Sequence, residues 1–394
     1  MPGSVIIGGA RTPIGKLLGA LSGLPAPRLG AAAIRAAVHR AGIAPDEVDA
    51  IVMGTVVQAG TGPNPARQAA ARAGLPMSVP ATTVNKLCLS GLHAVALADL
   101  MVSAGLHDVV VCGGMESMTR APHLLPGART GFRYGPAAAQ DALDADALIC
   151  AFDGVPMGAA TERYQAALGI SREEQDAFAA RSHRLAAQAA AAGRLAEEIV
   201  PVTVPTRRGD LTVTDDEGVR ADATAESLGR LRPAFAPDGT ITAGSSSQLS
   251  DGACALVVTS RAYAERLGVA PLAEIGTYGT VAGPDPSLLS QPARAARDAL
   301  HRDGSLKAAD LDVLEINEAF AGVAIQSTRE LDVDPDRVNV NGGAIALGHP
   351  VGMSGARLVL SLALELGRRG GGVGMAALCG GGGQGDALLL RSTR

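Results

Sequence analysis

Cys88 stands in the stretch Val84-Asn-Lys-Leu-Cys-Leu-Ser-Gly91, between a β-prone run (Ala81–Val84) and a helical pattern of Leu89, Leu92, Val95, Ala96 and Leu100 that ends at Gly105. A thiol at a strand-to-helix junction meets the positive end of the helix dipole, which favours thiolate and makes Cys88 a candidate nucleophile. The plainer alternative is a small buried hydrophobe. Three glycine-flanked stretches in the second half bear on the choice. One is Glu315-Ile-Asn-Glu-Ala-Phe320, at a predicted strand end. Another runs from Asn339 through Asn341-Gly-Gly-Ala to Gly348-His349-Pro350 and Ser354-Gly355. The last is Cys379-Gly-Gly-Gly-Gly-Gln-Gly385. A Cys and a His held in facing loops make a nucleophile and its base. The glycines beside Cys379 imply backbone N–H groups that approach a ligand closely.

What could bring these residues together is a fold written twice. Strands at Val5–Gly9, Ala50–Met53 and Asp108–Cys112 alternate with helical patterns near Leu29–Ala41 and Pro65–Ala73, the pattern of a layered α/β fold. The second half repeats the first: Ala37–Gly42 resembles Ala299–Gly304, Ser90-Gly91 resembles Ser354-Gly355, and Cys112-Gly-Gly resembles Cys379-Gly-Gly. In this register the His349 loop is the counterpart of the Cys88 loop, so a pseudo-twofold would set the two face to face. The repeat also exposes an insertion between Glu116 and Ser250, with a turn-rich stretch (Pro126–Gly135), a long helix (Arg172–Ala192) and a charged, hairpin-like stretch around Arg207–Arg220. An insertion that large at a strand end is more often functional than idle.

Composition narrows the classes. At 394 residues the chain exceeds one ordinary core, and 47% apolar with 19% charged residues is globular. A net charge of −5 argues against nucleic acid as the main partner. Five scattered cysteines without a C-x-x-C pair fit a reducing compartment and oppose both a disulfide framework and a zinc cluster. With no basic apolar leader and no membrane-length apolar run, a soluble cytoplasmic protein is expected. Gly380-x-Gly382-x-x-Gly385 meets the dinucleotide fingerprint, yet nine residues remain after it, too few for the phosphate-binding helix and ribose-binding acid. The Gly9–Lys16 segment fails as a P-loop on spacing.

The blocks Asn85-Lys-Leu-Cys-Leu-Ser-Gly91, Asn317-Glu-Ala-Phe320, Asn341-Gly-Gly-Ala through Gly348-His349-Pro350, and Cys379-Gly-Gly-Gly-Gly-Gln-Gly385 together resemble the signature blocks of the thiolases, in order and over nearly the whole length. The resemblance is nearest to bacterial acetyl-CoA acetyltransferases. It implies two similar five-stranded halves in an α/β/α/β/α arrangement: an N-terminal half over 1–115 and 251–268, a C-terminal half over 269–394, and an inserted, CoA-binding loop domain over 116–250. Homodimers or homotetramers are implied, with Gly127–Gly135 either a tetramerisation loop or an exposed turn.

The same resemblance assigns roles. Cys88 becomes acylated, His349 is its base and an oxyanion donor, and Cys379 is the second acid/base. Asn317 holds an oxyanion water, and the backbone N–H groups of Cys88 and Gly381 form a second oxyanion site. Coenzyme A, a substrate rather than a cofactor, would meet Met157, Arg220, Ser227, Leu231, Phe235, Ala243, Ser247 and Phe320. No metal is implied. The expected reaction is condensation of two acetyl-CoA to acetoacetyl-CoA and its reversal. Longer 3-ketoacyl-CoA substrates, or acyl-CoA binding without catalysis, are the alternatives. Pro156, where many biosynthetic members carry histidine, and Gly244-Ser-Ser-Ser247, in place of a common Gly-Asn-Ala-Ser, leave acyl-chain preference open.

Overall fold

The computed structural model describes residues 3–393. Its centre is a long mixed sheet. In chain order the main strands are β1 (Ser4–Arg11), β2 (Ala50–Gly54), β3 (Ala81–Val84), β4 (Val109–Ser117), β5 (Ser250–Ser260), β6 (Ala273–Ala282), β7 (Val313–Ile316), β8 (Val373–Gly380) and β9 (Gln384–Arg391). The spatial order is β7-β8-β9-β6-β1-β5-β4-β2-β3. The order β3-β2-β4-β5-β1 in the first half is repeated as β7-β8-β9-β6 in the second. The fifth strand of the second copy has shrunk to one parallel bridge, Leu314 to Val338. The halves are not separate sheets: β1 pairs antiparallel with β6 through Val5–Glu274 and Ile6–Ala273.

The helices form three layers around this sheet. Helices α1 (Ala26–Arg40) and α2 (Pro65–Ala73) cover the outside of the first half. Two helices sandwiched between the halves are α3 (Ser90–Ser103) and α8 (Ser354–Arg368). On the outside of the second half lie α6 (Gln291–Asp303) and α7 (Ala321–Leu331). Helix position follows sequence pattern. α1 buries one apolar stripe (Leu29, Ala33, Ile34, Ala37), whereas α8 is buried on nearly all sides: Leu358, Val359, Leu360 and Leu362 pack in the core, and its polar residues Arg357, Ser361 and Glu365 are buried too, Arg357 paired with Glu315 at 2.9 Å.

The segment between β4 and β5 forms a lobe with α4 (Met157–Gln165), α5 (Arg172–Ala191) and a hairpin of Val202–Thr206 with Gly209–Val213. The hairpin begins ahead of the stretch read from charge, because Val202 and Val204 are anchored inward while the charged residues form its tip and its return. The lobe is tied down by Arg11, fully buried at the end of β1, which donates to Glu198 at 2.7 Å and to both carboxylate oxygens of Asp216 at 2.7 and 2.8 Å. That explains the Gly9–Lys16 segment in physical terms: it is a strand end holding an ion-pair anchor. Among the described residues no helix is long and apolar enough to cross a membrane.

Candidate active site

β3 ends at Val84, and the chain turns through Asn85, Lys86 and Leu87 before α3 begins at Ser90. The turn is tight enough to put Leu87 at φ +52°, a left-handed conformation that a branched side chain resists. Side chains of the turn hold it. Ser90 Oγ accepts from the Lys86 N–H at 2.8 Å and donates to the Leu87 carbonyl at 2.6 Å, while Asn85 Oδ1 accepts from the Leu87 N–H at 3.0 Å. Cys88 is thereby presented at the wall of a cavity of about 300 Å³.

The environment of this thiol differs from the sequence expectation. Burial pushes it up to about 11, the backbone N–H groups of Cys88 and Gly381 pull it partly back, and the Glu116 carboxylate raises it further. Burial dominates, so the resting group is the thiol.

His349 lies across the same cavity. Its backbone N–H is shared between the Gln248 carbonyl at 3.1 Å and Ser250 Oγ at 3.2 Å, which fixes the loop against β5. Its Nδ1 is 2.6 Å from Ser354 Oγ, and that hydroxyl donates to the Pro350 carbonyl at 3.1 Å. Asn317 Nδ2, which can only donate, lies 3.4 Å from the other nitrogen, so Nε2 is assigned the lone pair and Nδ1 the proton, which Ser354 Oγ accepts. Burial, and secondarily the Arg357 charge, push the imidazole down to about 3, so the ring is neutral at rest.

Asn317 follows the last residue of β7 and is fully buried behind His349. Among the described residues its Oδ1 has no hydrogen-bond partner. An amide oxygen left so is a ready acceptor for a water or a substrate N–H. The strand end is held by Asn339, which exchanges hydrogen bonds of 2.8 Å with the N–H and the C=O of Ile316.

Cys379 occupies β8 one residue before the turn into β9 and also lines the cavity. Burial raises its thiol well above the usual range, and the nearby Cys88 sulfur raises it further. The turn needs its glycines. Gly382 and Gly383 have φ near +70°, and a Cβ on Gly381 would overlap the Met157 side chain. The polyglycine run is thus a hairpin turn that lets backbone N–H groups reach the cavity.

The structure divides the expected CoA contacts. Met157, Phe235, Ser247 and Phe320 line the cavity. Arg220, Ser227, Leu231 and Ala243 are exposed and stand outside its wall. Ser227 spends its hydroxyl on the helix cap it shares with Thr224.

Sequence reasoning missed several residues of the site. Met118, Leu148, Leu249, Leu288 and Val351 supply apolar wall, and scattered hydrophobes carry no signal before the lobe is folded. Pro156 and Ser246, singled out as departures, both face the cavity, whereas Ser245 is buried outside it. Glu116 is a buried carboxylate at the end of β4. It accepts from the N–H groups of Val56 at 2.9 Å, Val57 at 3.2 Å and Gly352 at 3.0 Å, and from Thr55 Oγ1 at 3.2 Å. It joins the first half to the His349 loop. The matching Ser-Gly pairs did mark Ser90 and Ser354, and each proves to pin its own loop.

Comparison with known proteins agrees with this architecture. Residues 4–262 match the family described as "Thiolase, N-terminal domain", and residues 269–392 match "Thiolase, C-terminal domain". A "Probable acetyl-CoA acetyltransferase" of Mycolicibacterium smegmatis is 56% identical over 98% of this chain and 100% of that one. A protein of the same description from Mycobacterium tuberculosis is 55% identical over 100% of both. An "Acetyl-CoA acetyltransferase" of Cupriavidus necator is 48% identical over 98% of each. Matched end to end in both halves, and more than half identical to full-length relatives, the chain belongs to the thiolase family.

Proposed function

We propose that the protein is an acetyl-CoA C-acetyltransferase, joining two acetyl-CoA into acetoacetyl-CoA and CoA and running the reverse thiolysis through an acyl-Cys88 intermediate. The observation that carries this reading is the convergence of two thiols and a neutral imidazole on one apolar cavity.

The chemistry follows from the protonation states. Cys88 is a thiol and His349 a free base, so no thiolate waits in the resting site. The thiol proton passes to Nε2 as sulfur attacks the thioester or 3-keto carbonyl, because separating charge ahead of attack is opposed by burial. The imidazolium then presents Nε2–H to the developing oxyanion, beside a water on Asn317 Oδ1. The N–H groups of Cys88 and Gly381, turned toward the Cys88 sulfur, donate to the other oxyanion. Each such donor contributes about 2.7–4 kcal/mol of barrier lowering in comparable sites. In synthesis the departing CoA thiolate takes the proton from the imidazolium, and His349, a free base again, receives the Cys379 proton. The Cys379 thiolate removes the α-proton of the second acetyl-CoA, the carbanion attacks the acyl-Cys88 carbonyl, and the Cys88 thiolate that leaves regains its proton from His349. Cleavage runs these steps in reverse, with Cys379 protonating the departing enolate.

Coenzyme A enters as a substrate. Its pantetheine arm passes Met157, Phe235, Ser247 and Phe320, and its nucleotide meets the exposed residues Arg220, Ser227, Leu231 and Ala243. Five free thiols are consistent with a cytoplasmic protein. A homodimer or homotetramer is favoured by the exposed Gly127–Gly135 stretch, which turns Phe132 and Tyr134 to solvent. The test is Cys88→Ala. CoA-dependent cleavage of acetoacetyl-CoA, followed at the enolate absorbance, is expected to vanish, and retained turnover would refute the reading.

A further inference from the structure

Lys86, two residues before Cys88, reaches across to the other half. Its Nζ donates to Asp386 Oδ1 at 2.7 Å, Thr280 Oγ1 at 3.0 Å and the Tyr278 hydroxyl at 3.2 Å. Thr280 Oγ1 donates to the same Asp386 oxygen at 2.7 Å, and the Tyr278 hydroxyl lies 3.2 Å from His93 Nδ1 on α3. Asp386 is fully buried while the Lys86 side chain is 20% exposed, and among the described residues the second carboxylate oxygen of Asp386 has no hydrogen-bond partner. Asp386 sits on β9 directly opposite Leu378, one position along from the pairing of Cys379 with Gly385. One charge is thus placed beside one thiol and its counter-charge beside the other, on segments that belong to different halves of the chain.

We infer that Lys86 and Asp386 are positioning residues: their ion pair fixes the turn that presents Cys88 against the hairpin that presents Cys379. This rests on the acyltransferase reading, in which carbon–carbon bond making and breaking needs both thiols and acetyl uptake by Cys88 needs one. The turn requires such a tie. Leu87 is held in a left-handed conformation that relaxes unless its surroundings over-determine it. Burying a carboxylate with no compensating cation is costly, so the pair holds its geometry as long as both members are present.

The experiment compares the full-length wild type with Lys86→Met, Lys86→Arg and the double variant Lys86→Met/Asp386→Leu. Three measurements are made: thermal stability, acetyl transfer from acetyl-CoA to Cys88 by intact-protein mass, and steady-state thiolysis of acetoacetyl-CoA. Lys86→Met is expected to lose stability as well as turnover, because it strands a buried carboxylate. The double variant removes both charges and is expected to melt near the wild type. It should still take up acetyl, while its thiolysis kcat falls by about 10²-fold at an unchanged KM, the scale of a 1 Å misplacement. Lys86→Arg, which keeps the pair, should recover most of kcat. A stable double variant with wild-type kcat would overturn the inference, as would one in which acetyl uptake falls in step with turnover. A wild-type protein that neither takes up acetyl nor cleaves acetoacetyl-CoA would instead refute the acyltransferase reading, and this inference with it.

Discussion

Gly91 and Gly355 meet across the pseudo-twofold axis. A Cβ on Gly91 would lie 2.8 Å from the backbone nitrogen of Ala356, and a Cβ on Gly355 would collide with the backbone nitrogen of Leu92. Each glycine opposes the residue one past its counterpart, a reciprocal contact of the kind a duplicated domain makes with itself. They belong to α3 and α8, the helices that follow Cys88 and His349, so their closeness sets how near the two loops come.

Gly91→Ala should therefore act on the whole site. The obstructing atoms are backbone and cannot rotate away, which makes this overpacking of the type that costs about 1–3 kcal/mol. A lowered melting temperature is expected, with thiolysis reduced more than the stability loss alone explains. An unchanged melting curve would show that the helices separate freely.

Ser354→Ala removes the side-chain partner that His349 Nδ1 has among the described residues. The ring loses the contact that selects its tautomer while keeping its place. Thiolysis kcat should drop by roughly tenfold to a hundredfold, as when outer-shell partners of functional histidines are removed. KM should change little, which separates a tautomer effect from a damaged cavity.

Cys88 should alkylate slowly at neutral pH. Its thiol is held near 11 by burial, and iodoacetamide reacts with the thiolate. The rate of modification at Cys88, followed by peptide mass, should climb about tenfold per pH unit through pH 9 without levelling. A plateau below pH 8 would mean that a thiolate–imidazolium pair is already formed at rest.

His349 also links stability to pH. An imidazole titrates near 6.5 in an unfolded chain and at about 3 here. Between these values the unfolded chain binds the extra proton, so the stability contributed by the neutral ring is present above pH 6.5 and is lost as pH falls toward 3. Glu116 acts in the opposite sense. Burial raises it to about 7 despite its four donors, so its contribution is fully present at low pH and fades as pH rises through 7. Urea midpoints at pH 7 and pH 5 for the wild type and His349→Asn separate the two. The wild type should lose roughly 2 kcal/mol more than the variant over that interval. Equal losses would place the His349 titration elsewhere.

The sequence by itself determined the layered fold and the duplication, and its resemblance to the thiolases named the candidate reacting groups. Fold and duplication follow from local information: strand and helix periodicities and the Ser-Gly pairs that open α3 and α8. It also marked Pro156 and Ser246 as unusual before either was known to face the cavity. Only the tertiary structure decided three things. It joined the halves into one sheet through β1 and β6, a pairing between distant strands with no local signal. It set the resting protonation states of Cys88 and His349, because desolvation depends on what surrounds a group rather than on its neighbours in the chain. Finally, it drew Glu116, Lys86 and Asp386 into the frame around the two thiols, since the energy of a buried charge is fixed by partners up to 300 residues away in sequence.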